Sequence, residues 1–411
     1  MKIAGLKSWQ ILDSRGRPTV AVEAALDNGV RAVAQVPSGA STGRHEAVEL
    51  RDGDPRHYGG KGVLQAVSNV EGPLAAAVAG MDAEDQAALD RRMIELDGTP
   101  NKGRLGANAT LGVSCAVARA AAQAKGIPLW KHLAAHRSPR MPVPMVNIFS
   151  GGLHAGGNIE FQDFLVIPHG FDGISAQMEA VVAIHGAARR ILDSHGYAMT
   201  GVADEGGWGP RLESNERALA LLNDAIRETG AEGAASIAID VASSHFYRDG
   251  VYTLKTEKLR LDAAGMVSLL EQWCDRYPVI SIEDGLEEDD WSGWQALTQR
   301  LGERAQLVGD DFFTTSPERV RRGIRDKAGN AVLVKMNQIG TLTETFEVVD
   351  LAREAGWKAV ISARSGETED SFLADLAVAT GAGQIKVGSI TRSERLAKYN
   401  RLLEIERNES D

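Results

Sequence analysis

Apolar residues in the last two-thirds of the chain come in short runs. The runs lie at 143–149, 161–167, 237–241, 279–282, 306–308, 331–336, 358–362 and 384–387. Their length and polar flanks predict strands buried on both faces. Most gaps between them hold one helical pattern, and the gap from 168 to 236 holds two, at about 174–194 and 215–229. Strands alternating with helices predict a parallel sheet with crossovers, and eight such strands predict a closed β/α barrel. The competing arrangement is an open doubly wound sheet. No Gly-rich nucleotide fingerprint follows the first run, so the barrel is favoured.

The first third follows a different pattern. Two β-rich runs, 19–25 and 29–35, flank Asp27-Asn28-Gly29, a strong hairpin signal. Helical patterns follow at 62–78, 83–96 and 109–125. The proline-rich joint Ser138-Pro139-Arg140-Met141-Pro142-Val143-Pro144 is the best boundary, giving an N-terminal α+β capping domain over 1–139 and the barrel over 140–411. The fold class is therefore α/β.

Composition narrows the function. The chain has 411 residues, 43% of them hydrophobic and 25% charged, with a formal charge of −11 and no basic run, which argues against a nucleic-acid partner. The two cysteines, Cys115 and Cys274, make neither a disulfide framework nor a zinc site, and buried thiols in a reducing cytoplasm are expected. The first residues turn polar too soon for a signal peptide, and no apolar stretch reaches the length of a membrane span; Arg119 interrupts the nearest candidate.

Charge sits where the runs end. In order along the chain they close on Asp240, on Glu283-Asp284, on Asp310-Asp311, on Lys335, on Arg364 and on Lys386. One charge at a strand end is commonly a solvated loop residue. Six in order, sorted by sign, are harder to explain that way, because parallel strands aim their C-terminal ends at one face. Three converging carboxylates repel each other unless a cation joins them, and hard oxygen ligands with open positions suit Mg²⁺. Burial and a neighbouring metal would lower the pKa of Lys335 and make it a base, a pairing with Mg²⁺ known for stabilising ene-diolates.

The motifs at these strand ends resemble the enolase family. They are Ser281-Ile282-Glu283-Asp284, Gly309-Asp310-Asp311, Lys335-Met336-Asn337-Gln338, Ser365-Gly366-Glu367-Thr368-Glu369-Asp370 and Arg395-Leu396-Ala397-Lys398-Tyr399, with Asp13-Ser14-Arg15-Gly16, Pro37-Ser38-Gly39-Ala40-Ser41-Thr42-Gly43 and Asp204-Glu205-Gly206-Gly207 earlier in the chain. The resemblance runs almost end to end. It implies a Mg²⁺-dependent hydro-lyase with two metal sites, the second filled together with substrate. By match to the family's motifs, Asp240, Glu283 and Asp310 would hold the first ion and Ser41 the second. Lys335 would be the base and Glu205 the acid. His154, Gln162, Asp163, Arg364, Ser365 and Lys386 would meet the substrate, a small anionic phosphorylated or phosphonylated glycerate. The family's members are usually dimers or octamers, and Arg15 matches a dimer-contact region.

Blander roles are expected elsewhere: Asp204 and Asp284 as local hydrogen-bond or capping residues, Glu287-Glu288-Asp289-Asp290 as a solvated helix start, and Arg395 to Tyr399 as packing of the last helix. The departures from the family pattern cluster near the substrate. Asp163 stands for Glu, Ala363 for His, Ser150 for Asn, Leu153 for Ser, Gly285 for Pro, and Val387-Gly388-Ser389-Ile390 for Thr-Gly-Ala-Pro. With the metal triad, Lys335 and Glu205 kept, this pattern suggests a specialised homologue similar to carboxyphosphonoenolpyruvate synthase. The alternatives are an ordinary glycolytic enolase and a non-catalytic protein of the same fold. A racemase or cycloisomerase of the wider superfamily is disfavoured by Gln162-Asp163, where such enzymes commonly carry Lys-x-Lys.

Overall fold

The computed structural model describes residues 1–39, 43–197 and 201–410. The chain begins with an antiparallel sheet of β1 (Ile3–Leu12), β2 (Pro18–Leu26) and β3 (Arg31–Gln35). The β2–β3 turn falls at Asp27-Asn28-Gly29 as expected, with Gly29 at φ +89°. β1 carries mixed burial, one face on the core and one outside, and its weak apolar alternation hid it in the sequence. Helices α1 (Leu64–Asn69), α2 (Ala75–Val78), α3 (Gln86–Asp97), α4 (Ala107–Lys125) and α5 (Leu129–Ala134) follow. The stretch expected as one helix over 62–78 is split by a π-helical turn, Val70–Leu74, which accommodates Pro73. The Ala-rich α4 is buried almost all round and packs on β2 and β3. No helix among the described residues is long and apolar enough to cross a membrane.

The eight expected runs form a closed barrel of β4 (Val143–Ser150), β5 (Asp163–Ile167), β6 (Ser236–Asp240), β10 (Val279–Glu283), β11 (Gln306–Gly309), β12 (Ala331–Val334), β13 (Lys358–Ser362) and β14 (Gly383–Gly388). A small antiparallel meander of β7 (Tyr247–Arg248), β8 (Val251–Leu254) and β9 (Leu259–Leu261) lies outside it; the sequence reading missed these short strands. The helices are α6 (Gly173–Ser194), α7 (Asn215–Glu228), α8 (Ala263–Arg276), α9 (Trp291–Leu301), α10 (Pro317–Asp326), α11 (Met336–Ile339), α12 (Leu342–Glu354), α13 (Phe372–Thr380) and α14 (Ser393–Ser410).

One strand departs from the parallel expectation. β5 runs antiparallel to both β4 and β6. A parallel return needs a crossover of a dozen or more residues, usually helical. The segment between β4 and β5 holds only the short 3₁₀ turn Gly152–Ala155 and doubles back as a hairpin. The two helices α6 and α7 then carry the chain back to the parallel direction. Asp163 therefore opens its strand, with Gln162 just before it. Reversal still leaves Asp163 at the functional rim, opposite Ser150 and Asp240.

The barrel interior below that rim is filled by Met145, Leu165, Ile167, Ala238, Val308, Ala331, Leu333 and Val360. It is a packed core, so chemistry is confined to the rim. The first sheet is tied to that rim by main-chain bonds between Ser38 and Gly366, at 2.7 and 2.9 Å. Gly366 is needed there, because a Cβ would lie 2.3 Å from Asp13 Oδ2 and 2.7 Å from the Ser38 carbonyl oxygen. On α4, Arg119 adds a bidentate pair with Asp370.

The hairpin between β4 and β5 yields a prediction. A Cβ on Gly151 would meet Ile159 Cγ1 and the Phe161 carbonyl oxygen, both at 2.4 Å. Gly151→Ala should therefore force a backbone shift and destabilise the fold by roughly 1–3 kcal/mol. Urea unfolding should show a lower midpoint, and an unchanged midpoint would mean that the hairpin yields at no cost.

Candidate active site

The rim gathers the strand-end charges into one buried cluster. Asp240 ends β6, Glu283 ends β10, Asp310 follows β11, Lys335 follows β12, Arg364 follows β13, and Lys386 lies within β14. Each is buried, with 2 to 8% of its surface exposed. Lys386 Nζ donates to Asp240 Oδ2 at 2.8 Å and to both Glu283 oxygens at 2.8 and 2.7 Å. Lys335 Nζ donates to Asp310 Oδ2 at 2.5 Å, and Gln338 Nε2 bonds the other Asp310 oxygen at 2.8 Å. Gln162 Nε2 reaches Asp240 Oδ2 at 3.3 Å.

Three carboxylates face two lysines, and the imbalance shows in their acidities. Burial and the charges of Asp240 and Asp310 push Glu283 well above the usual carboxylate range, despite Lys386. For Asp240 and Asp310, burial acts in the same direction but is outweighed by Lys386 and by Lys335, so both are lowered. The lysines are raised in return, against burial, by these same carboxylates. Asp310 thus holds the Lys335 pKa up, whereas the lowering expected of Lys335 was tied to a bound metal.

The all-oxygen donor set and its surplus negative charge fit a hard divalent cation. Among the described residues, two groups bring three donor atoms within 4.8 Å of one another: His154 with Asp163 and Glu205, and Asp284 with Asp310 and Asp311. The expected triad Asp240, Glu283 and Asp310 is not one of them, and the ammonium groups of Lys335 and Lys386 sit against its carboxylates. The Asp284 group is largely structural, since its two oxygens accept the backbone N–H groups of Asp310 and Asp311 at 2.9 and 2.8 Å. That matches the local hydrogen-bond role expected of Asp284. Ser41, expected at a second metal, lies outside the described residues.

Glu205 enters from the loop between α6 and α7, which is stitched to β4 by main-chain bonds between Trp208 and both Ile148 and Ser150. It lines one cavity with His154, Gln162, Asp240, Lys335, Arg364, Ser365 and Lys386. Ala363 also lines it. Burial would raise the Glu205 pKa, but His154, Arg395 and the two lysines lower it to about 2. His154 shows the reverse: burial opposes its charge, while Asp163 and Glu205 raise it to about 9. His154 Nε2 lies 3.5 Å from Glu205 Oε1, and each group shifts the other toward its charged form.

Asp163 was expected at the substrate, and its carboxylate groups with His154 and Glu205, their donor atoms within 4.8 Å of one another. Its side chain is fully buried and does not line the cavity. The short carboxylate is turned instead to Asn147, Ser150 and His154.

Several contacts on the rim could not be read from the sequence. Arg364 is paired with Glu46 at 3.1 and 3.2 Å and with Asn337 Oδ1 at 2.9 Å. Glu46 is 318 positions away in the chain, so only folding could reveal the pair. Arg395, expected only to pack the last helix, donates to the carbonyl oxygens of Arg364, Ser365 and Val387 at 2.6 to 3.0 Å and so braces the Arg364 loop. The acidic run 287–290 is not a solvated helix start either. Glu287 and Glu288 are buried and grip Arg44, His45 lies 2.9 Å from Asp289, and only Asp290 caps α9. Arg15, matched to a dimer contact, is turned inward to Asp13 and to the carbonyl oxygens of Ser38 and Gly39.

Comparison with known proteins bears on the same residues. Residues 3–133 match the family model described as Enolase, N-terminal domain, and residues 138–411 match Enolase, C-terminal TIM barrel domain. A protein of Rubrobacter xylanophilus named Enolase is 53% identical over 407 residues, covering 98% of this chain and 94% of that relative.

The raised His154 pKa has a sign that can be checked. A group raised in the folded state contributes stability that is complete below its unfolded pKa, near 6.5, and lost as pH rises through about 9. The unfolding free energy should therefore decline across that window, and the decline should be missing in His154→Gln. An equal slope in the variant would place the titrating proton elsewhere.

Proposed function

The chain belongs to the enolase family, and from that premise we propose that it takes the C2 proton from 2-phosphoglycerate and expels the 3-hydroxyl as water, giving phosphoenolpyruvate. The observation that carries this reading is the convergence of Lys335, Glu205, His154, Arg364, Ser365 and Lys386 on one cavity. We place the junction between the capping domain and the barrel at residues 139 and 140.

The roles follow from chemistry. A proton beside a carboxylate is weakly acidic, so the base must be strong and the developing charge must be stabilised where it forms. Lys335 is the base. Asp240, Glu283 and Asp310 would hold Mg²⁺, and Ser41 a second ion. When bound, such ions supply electrostatic stabilisation of negative charge on the substrate carboxylate. With their charge committed to a cation, these three carboxylates would cease to hold Lys335 and Lys386 as tightly. Lys335 would then be freer to accept a proton and Lys386 to meet the substrate carboxylate. Arg364 and Ser365 hold the phosphate, the guanidinium as a planar fork suited to its oxygens. Hydroxide is a poor leaving group, and Glu205 protonates it, with His154 beside it as a reservoir of the proton. Gln162 borders the leaving group.

The more specialised reading, a larger substituent at C2, gives way to the ordinary one. It leaned on Asp163 and Ala363. Both oxygens of Asp163 are engaged by Asn147, Ser150 and His154, and a relative 53% identical across nearly the whole chain is named Enolase. Ala363 alone keeps the specialised reading in view.

Turnover of 2-phosphoglycerate with Mg²⁺, followed by the ultraviolet absorbance of the enol product, tests the proposal; chelation should abolish it. Absent turnover with Mg²⁺ still bound would sink it and bring 2-phosphonoformylglycerate forward. Lys335→Ala should abolish exchange of the substrate C2 proton with solvent, and full exchange would remove Lys335 as base. Glu205→Gln should lower water loss by on the order of 10²–10⁴-fold while some C2 exchange persists.

A further inference from the structure

Two positions where this chain departs from the family pattern touch each other in the structure. Ser150 Oγ donates to Asp163 Oδ1 at 2.9 Å. Asn147 Nδ2 donates to the same oxygen at 2.6 Å. The other oxygen, Oδ2, faces His154 Nδ1 at 2.8 Å. All of these side chains are buried, with Asn147, Ser150 and Asp163 at 0% exposure. Only His154 of the four reaches the cavity.

We propose that Asp163, held by Ser150 and Asn147, is a positioning residue that acts on the reaction only through His154. The reasoning is geometric. A histidine has two ring nitrogens, and the hydrogen bond made by one fixes what the other presents. With Nδ1 tied to a carboxylate, Nε2 is aimed at Ser365 Oγ at 3.1 Å and Glu205 Oε1 at 3.5 Å. These are a residue assigned to the phosphate and the residue assigned as acid. Both oxygens of the Asp163 carboxylate are engaged by Asn147, Ser150 and His154. Ser150 is confined as well: a Cβ on neighbouring Gly207 would lie 2.8 Å from its Oγ. A short carboxylate, a short hydroxyl and a bare glycine thus form one matched unit behind the imidazole. This assignment rests on the proposed function for its reading of Ser365 and Glu205, but the wiring of His154 stands apart from any substrate.

The experiment is a double-mutant cycle on the Mg²⁺-loaded enzyme, using Asp163→Asn and His154→Ala singly and together. Asp163→Asn should lower kcat by roughly 10–100-fold with KM little changed. In the His154→Ala background the same change should cost no more than about twofold, because the group it acts through is gone. Full multiplication of the two effects would overturn the proposal. Ser150→Ala, a milder change, should show the same dependence on His154 and serves if Asp163→Asn does not fold. A second readout needs no turnover. In ¹⁵N-histidine-labelled protein, the Nδ1-bound proton of His154, identified by its absence in His154→Gln, should resonate far downfield and move upfield in Asp163→Asn. An unmoved resonance would also overturn the proposal. Absence of turnover in the parent enzyme, with that resonance behaving as expected, would instead count against the assigned reaction.

Discussion

At the rim of the barrel the carboxylates of Asp240, Glu283 and Asp310 share a space from which water is almost excluded, and their mutual repulsion is relieved by the two ammonium groups of Lys335 and Lys386. Much of the surrounding structure answers to that balance. Gln338 satisfies the Asp310 oxygen that Lys335 leaves open, and Gln162 shares Asp240 Oδ2 with Lys386. Asp284 turns its backbone to φ +45° and fixes the loop that carries Asp310. A buried cluster with one negative charge in excess is costly without a counter-ion. It is also suited to receive a divalent cation and an anionic substrate together.

The rim is finished by residues from outside the barrel. Glu46, from the capping domain, pairs with Arg364, and Arg44 with Glu287 and Glu288. The Ser38–Gly366 bridge ties the same segment to the loop after β13. The capping domain thus supplies partners to charges on the rim, and it is tied to the loop after β13 that carries Arg364. On the other side, Arg395 of α14 spends its guanidinium on carbonyl oxygens of that loop. The cavity is therefore held from both ends of the chain.

Much of this was legible in the sequence. The eight runs are the eight barrel strands, because a strand buried on both faces must be apolar throughout and its polar ends stand out. The order of charges at those ends already placed carboxylates and cations on one rim. The direction of β5 was not legible in the same way, since apolar content says nothing of strand polarity; the short helix-poor link before it was the available clue. β1 was missed because its mixed burial weakens the apolar alternation, and the outer meander because its strands are short.

The sequence by itself determined the fold class, the family and the identities of the charged groups, since these depend on residue type and local spacing. The tertiary structure decided which charge faces which. The pairing of Arg364 with Glu46 and the burial of Glu287 and Glu288 against Arg44 join segments distant in the chain. Electrostatic energy depends on separation in space and on exclusion of water, and neither is set until the chain has closed its barrel.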